Sequence, residues 1–160
     1  MQFQGDRKNI LDFRSKIRRF ELSNGNVSAF IMFVKNLSVK GTLVNTLIIF
    51  NHQPYDGTDV TWNGLRLAEK LLSTGMEMRI FLMNDSVDLA RDAAKPPADY
   101  FDLGQMLKDL IARGVKVKVC GTCKARCGLY KNEPYFDGAN EATMVELAEW
   151  VSQADRMITL

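Results

Sequence analysis

Cys120, Cys123 and Cys127 fall within the stretch Cys-Gly-Thr-Cys-Lys-Ala-Arg-Cys-Gly over residues 120–128. Thiolate is the nucleophile in disulfide exchange and in sulfur transfer, so a thiol there needs surroundings that favour the anion. The pattern before it, Val115, Val117 and Val119 alternating with Lys116 and Lys118, predicts a strand that Cys120 closes. Cys123 then falls in or near the first turn of the following helix, where unpaired backbone N–H groups and the positive helix end favour thiolate. Lys124 and Arg126 add positive charge nearby. A CxxC at a strand end before a helix reads as an activated thiol with a second thiol close enough to resolve it. Cys127 follows Cys123 by four residues, so on a helix the two share a face. The same CxxCxxxC spacing could offer three ligands to zinc or an iron–sulfur cluster. No fourth ligand is at hand, since His52 is the only histidine and sits on another loop, so neither metal nor cofactor is expected.

The elements that must position these thiols are legible in the rest of the pattern. Leu43–Phe50 is a near-continuous apolar run rich in branched residues, as in a strand buried on both faces. A turn-forming loop follows over residues 51–57. Trp62, Leu65, Ala68, Leu71 and Leu72 mark a helix that should stop at Gly75. Met78–Met83 reads as a second strand, with Asp85 as N-cap of a short helix over 86–94. Leu103, Met106, Leu107, Leu110 and Ile111 form another helical stripe, ended by Gly114. Thr143-Met-Val-Glu146 is a capping box ahead of Leu147, Ala148 and Val151. Met157–Leu160 closes with a short strand. The order β-α-β-α-α-β-α-α-β implies an α/β fold, a mainly parallel sheet with helices on both faces. Ligands in such folds sit beyond the carboxyl ends of the strands, so the loops at 51–58, 84–86, 95–100 and 120–124 are the ones to watch.

The chain has 160 residues, 46% hydrophobic and 25% charged, enough for one domain with a sizeable core and too apolar for disorder. Its formal charge of +2 is divided. Residues 1–42 hold eight Lys/Arg against three Asp/Glu, a formal +5, and the remainder holds 13 against 16, a formal −3. The front reads as a basic extension: a helix over 9–22 carrying Ile10, Phe13, Ile17 and Phe20, a break at 23–26, and a short apolar segment over 27–34. It lacks the interleaved aromatics of an RNA-binding surface, so nucleic acid is not expected as a partner. The longest apolar run, Ala29–Val34, is far short of a membrane span, and no signal-peptide pattern opens the chain. Three cysteines are an odd number, which fits no complete intrachain disulfide framework and points to a reducing cytoplasm. There is no GxGxxG and no GxxxxGK[ST] phosphate loop.

An ordered set of stretches resembles the DsrE/DsrF-like family, most closely its YchN-like branch. They are Leu47–Asn51 with Pro54-Tyr55, Asn63–Ala68, Phe81–Val87, Lys95-Pro96, Gln105–Leu107, Val117–Cys123, Glu146–Trp150 and Ala154–Leu160. The resemblance implies a Rossmann-like three-layer α/β/α sandwich with a mainly parallel five-stranded sheet over residues 43–160, assembled as a homotrimer or homohexamer. It also implies a sulfur carrier or sulfurtransferase, which accepts sulfane sulfur on a strand-end cysteine eight residues before a glycine. Cys120, with Gly128, satisfies that spacing, and Cys123 matches a second cysteine of the YchN-like branch. Cys127 and the basic front are departures. On this reading Cys120 and Cys123 are catalytic. Asn51, His52, Tyr55, Asp85, Thr122 and Cys127 are candidate supporting residues. Sulfur donor and acceptor proteins, or small thiols, are the expected partners. Two other readings remain: a thiol–disulfide redox protein using the same pair, and a non-catalytic oligomeric scaffold whose apolar contacts would lie around Trp62 or Met76.

Overall fold

A computed structural model describes residues 44–131 and 134–160. The helix, break and apolar segment expected within residues 1–42 lie outside the described residues. Five strands form one parallel sheet in the order β4-β3-β2-β1-β5: β1 Asn45–Phe50, β2 Glu77–Leu82, β3 Lys116–Cys120, β4 Ala139–Ala142 and β5 Arg156–Thr159. The central strand β1 is buried along its whole length, as its unbroken apolar run requires.

Among the described residues two α-helices precede β3, α1 Val60–Ser73 and α2 Leu103–Ala112. They end as their glycines dictate, with Gly75 and Gly114 at φ of 86° and 94°, one residue past the C-caps. With a 3-10 helix at Asn84–Ala90, they bury Leu65, Leu107, Leu110 and Leu89 against the sheet face that carries Ile48, Phe50, Ile80 and Leu82. The third α-helix, α3, spans Gly121–Lys131. The fourth, α4 Met144–Gln153, packs Leu147 and Trp150 on the opposite face, over Leu47, Ile49 and Phe81. The chain thus makes the expected α/β/α layers, and α4 carries it from one sheet edge, β4, to the other, β5.

Three expectations change. Asp85 is not an N-cap: the 3-10 helix begins at Asn84, its N-cap position is Met83, and it ends at Ala90 rather than at 94. The residue that closes its first turn is Ser86, whose hydroxyl accepts from Met83 N at 2.9 Å. The strand β4, Ala-Asn-Glu-Ala, had no apolar signal because it is a short polar edge strand with two exposed residues. Trp62 is half-buried under Phe101, ring centroids 4.6 Å apart, while the exposed large apolar residues include Met144, Val145, Met157 and Phe101.

The capping box of α4 forms as its sequence predicts. Thr143 Oγ1 accepts from Glu146 N, and the Glu146 carboxylate accepts from Thr143 N at 2.8 Å. Lys118 Nζ on β3 donates to the same carboxylate at 2.6 Å. Hydrogen bonding from Lys118, and then from the Thr143 backbone and hydroxyl, lowers the Glu146 pKa from 4.5 to about 2. A depressed carboxylate pKa stabilises the fold fully above the unfolded value and loses that contribution as pH falls through the folded one. We therefore expect Glu146 to contribute full stability above about pH 4.5 and to lose it towards about pH 2. An NMR titration should place its carboxyl midpoint near 2, and Glu146→Gln should flatten the acid limb; a midpoint near 4.5 contradicts the pairing.

Candidate functional site

The site is built where β3 becomes α3. Cys120 is the last residue of β3 and Gly121 the first of α3, so no loop intervenes. Cys120 lies on the sheet face covered by α4 and is 4% exposed. Cys123 sits in the first turn of α3, half-buried, packed against both core clusters. Cys127, one turn further, is buried in the cluster on the other face. All three are free thiols. Among the described residues no group of three or more His, Cys, Asp or Glu is arranged to hold a metal ion.

The end of β2 supplies the hydrogen-bond frame. Asn84 adopts φ 52°, the left-handed region that asparagine tolerates, and its backbone N–H donates to Cys123 Sγ at 3.2 Å. Its side-chain amide donates to Asn51 Oδ1, at the end of β1, at 3.0 Å. Ser86 is fully buried, and its hydroxyl donates to Phe50 O at 2.7 Å, fastening the β2 turn to β1. Asp85 pairs with Arg126 of α3 at 2.8 Å. Arg126 faces back to the thiols: its pKa is raised by hydrogen bonding to Cys127, then by charge at Cys127 and Asp85.

Behind α3, the segment 134–136 returns along the 3-10 helix. Phe136 N donates to Ala90 O and Asp92 N to Pro134 O, with an antiparallel bridge between Arg91 and Tyr135. A buried Asp88–Arg91 ion pair at 3.0 Å anchors this seam. Tyr135 is pushed up to about 12, by burial first and then by charge at Cys127 and Asp88.

The spacing alone led us to expect a thiolate-favouring Cys123, but its pKa is raised. Burial is the main cause, followed by the neighbouring Cys120 side chain; the Asn84 N–H and Arg126 oppose them. Burial and the neighbouring sulfur thus favour the protonated Cys123 thiol.

The other expected supporting residues are distributed differently. His52 is half-exposed and pairs with Asp56 on its own loop at 3.2 Å. Tyr55 accepts from Leu103 N at 3.1 Å, capping α2, and its pKa is raised by burial. Thr122 is exposed in the first turn of α3. Asn51, Asp85 and Cys127 do join the frame. Arg126 was expected only as a nearby positive charge, and Asn84 and Ser86 only as members of the loop over 84–86. The signal for Asn84 was an asparagine immediately after an apolar strand, where a left-handed residue is admissible.

With this geometry in hand, comparison with known proteins is informative. The model of the DsrE/DsrF-like family, a family associated with sulfur relay, matches residues 45–160. Protein YchN of Escherichia coli (strain K12) is 38% identical over 115 residues, covering 71% of this chain and 96% of YchN. A protein of Methanopyrus kandleri, called uncharacterized protein MK0008, is 34% identical over 113 residues, covering 69% of this chain and 89% of its own length. The crystal structure of the Escherichia coli YchN protein superposes with a TM-score of 0.66 at 36% identity, covering 72% of this chain and 98% of that one. A Bacteroides thetaiotaomicron protein of unknown function, BT1422, shares the fold alone, with a TM-score of 0.52 at 13% identity.

The influence of Cys120 on Cys123 is open to direct measurement. Removing the Cys120 sulfur by Cys120→Ala should lower the Cys123 titration midpoint, read as the pH dependence of its alkylation. An unchanged or higher midpoint contradicts that influence.

Proposed function

This chain belongs to the DsrE/DsrF-like family, and we propose that it carries sulfane sulfur as a persulfide on Cys120 and passes it to an acceptor protein or thiol. The observation that supports this most is the placement of Cys120 at the strand-to-helix junction, with Cys123 packed against the same core cluster. Cys120 as thiolate attacks the terminal sulfur of a donor hydropersulfide, R–S–SH. A bond forms between Cys120 Sγ and that sulfur, the donor S–S bond breaks, and the donor leaves as thiolate. Discharge reverses this on an acceptor thiolate, with no net oxidation or reduction. The N–H groups of the first turn of α3 and the positive helix end stabilise the anion on Cys120. Cys123 supplies a proton at the same sulfur. Low exposure of Cys120 shields a bound persulfide from oxidants, while half-buried Cys123 marks the open side of the site.

The same contact favours a second reading, a thiol–disulfide protein in which Cys123 attacks Cys120. The two differ in product: a retained sulfur atom in one, a Cys120–Cys123 disulfide in the other. Assembly as a homo-oligomer is also part of the proposal. Met144, Val145 and Val151 of α4 and Met157 of β5 are exposed apolar residues close together in the chain, and a second copy would cover them.

Mass spectrometry after incubation with a small-molecule persulfide separates these readings. We expect the wild type and Cys123→Ser to gain sulfur and Cys120→Ser to gain none. A sulfur that persists in Cys120→Ser removes Cys120 from the role, and loss of two hydrogens with no sulfur gained favours the redox protein.

A further inference from the structure

The third thiol is unused by the carrier reading, yet its surroundings are those of a working group. Cys123 packs against both core clusters, one containing Cys120 and the other Cys127, so it stands between the two along the start of α3. Cys123 and Cys127 are one helical turn apart on the same face. Side chains at that spacing have Cβ atoms about 5–6 Å apart. A disulfide requires about 3.5–4.5 Å, so a direct bond would distort α3. An extra sulfur on Cys123 lengthens that side chain by about 2 Å, the S–S bond length, and closes the gap. Two polar groups attend Cys127. Arg126, its neighbour in α3, brings a cation held by Asp85. The Tyr135 hydroxyl is buried with no hydrogen-bond partner among the described residues, and Cys127 contributes to its raised pKa. A buried unsatisfied hydroxyl is costly unless a partner arrives.

We infer that Cys127 is an interior sulfur-holding site, filled from Cys120 through Cys123, with Arg126 and Tyr135 placed to receive the incoming sulfur. The inference rests on Cys120 being loaded first. In the first step the Cys123 sulfur attacks the terminal sulfur of the Cys120 hydropersulfide. A Cys123 S–S bond forms, the Cys120 S–S bond breaks, and the Cys123 proton passes to the departing Cys120 sulfur. The second step repeats this between Cys127 and Cys123. Each step consumes one thiol and one hydropersulfide and returns one of each, so no oxidant or reductant is needed. The interior site would keep sulfur out of contact with solvent until Cys123 draws it back.

The sequence allows a clean readout. Trypsin cleaves after Lys118, Lys124 and Arg126, placing Cys120 and Cys123 on the peptide 119–124 and Cys127 on the peptide 127–131. The full chain would be loaded with glutathione persulfide bearing isotopically labelled sulfane sulfur, quenched by alkylation at successive times, and digested. The wild type should show label first on 119–124 and then on 127–131. Cys123→Ser should load 119–124 only, and Tyr135→Phe should load 119–124 normally while holding less label on 127–131. Label confined to 119–124 in the wild type overturns the interior site and leaves the carrier reading standing. Label on neither peptide removes both. Label reaching 127–131 at the wild-type rate in Cys123→Ser overturns the route through Cys123.

Discussion

The direct passage of β3 into α3 is the constraint on which the site depends. With Cys120 the last strand residue and Gly121 the first helical one, the phases of Cys123 and Cys127 are set by helical geometry alone. A strand side chain pointing to the α4 face and a helical side chain turned to the other face meet through the residue between them. The junction also sets Cys120 immediately before the N-terminus of α3, an end that carries roughly half a positive charge. Gly121 suits this spot because β4 runs close by: a Cβ there would meet the Glu141 side chain at 2.8 Å.

A parallel sheet puts all its carboxyl ends on one edge, and here three of those ends are tied together. Ser86 links the turn after β2 to the last residue of β1, Asn84 links it to Asn51, and the Asn84 N–H reaches Cys123 after β3. Of these bonds the Ser86 one is buried, and leaving that hydroxyl without its partner costs about 1–3 kcal/mol, so it is the firmest tie of the three. The buried Asp88–Arg91 pair does the same for the chain returning from α3, and truncating one buried partner costs about 3–5 kcal/mol. By contrast, the exposed Arg126–Asp85 pair adds little to stability, about 0–1 kcal/mol, and its value lies in holding a cation over the cysteines.

Much of the fold was readable in the sequence because its signals are local. The apolar run at β1, the glycines after α1 and α2, and the Thr143 capping box each state a backbone conformation directly. The strand β4 was not readable: an edge strand with exposed residues needs no apolar alternation. The CxxC and its position at the strand-to-helix junction were readable as well. What spacing could not give was the balance at Cys123, where burial and the neighbouring sulfur outweigh the Asn84 N–H and Arg126. The His52 expectation arose from residue type, and its pairing with Asp56 is a property of loop geometry that only the folded chain displays. Asn84 and Ser86 act through backbone groups and short hydroxyl contacts, which leave a weak trace in sequence.

The central claim is that sulfur leaves the protein by group transfer, with the thiols returned unchanged. Counting free thiols after a loaded protein has discharged onto an acceptor thiol, with excess donor removed and no reductant present, tests it most directly. The account predicts that all three thiols of the chain are recovered. A deficit of two, with Cys120 joined to Cys123, would contradict it.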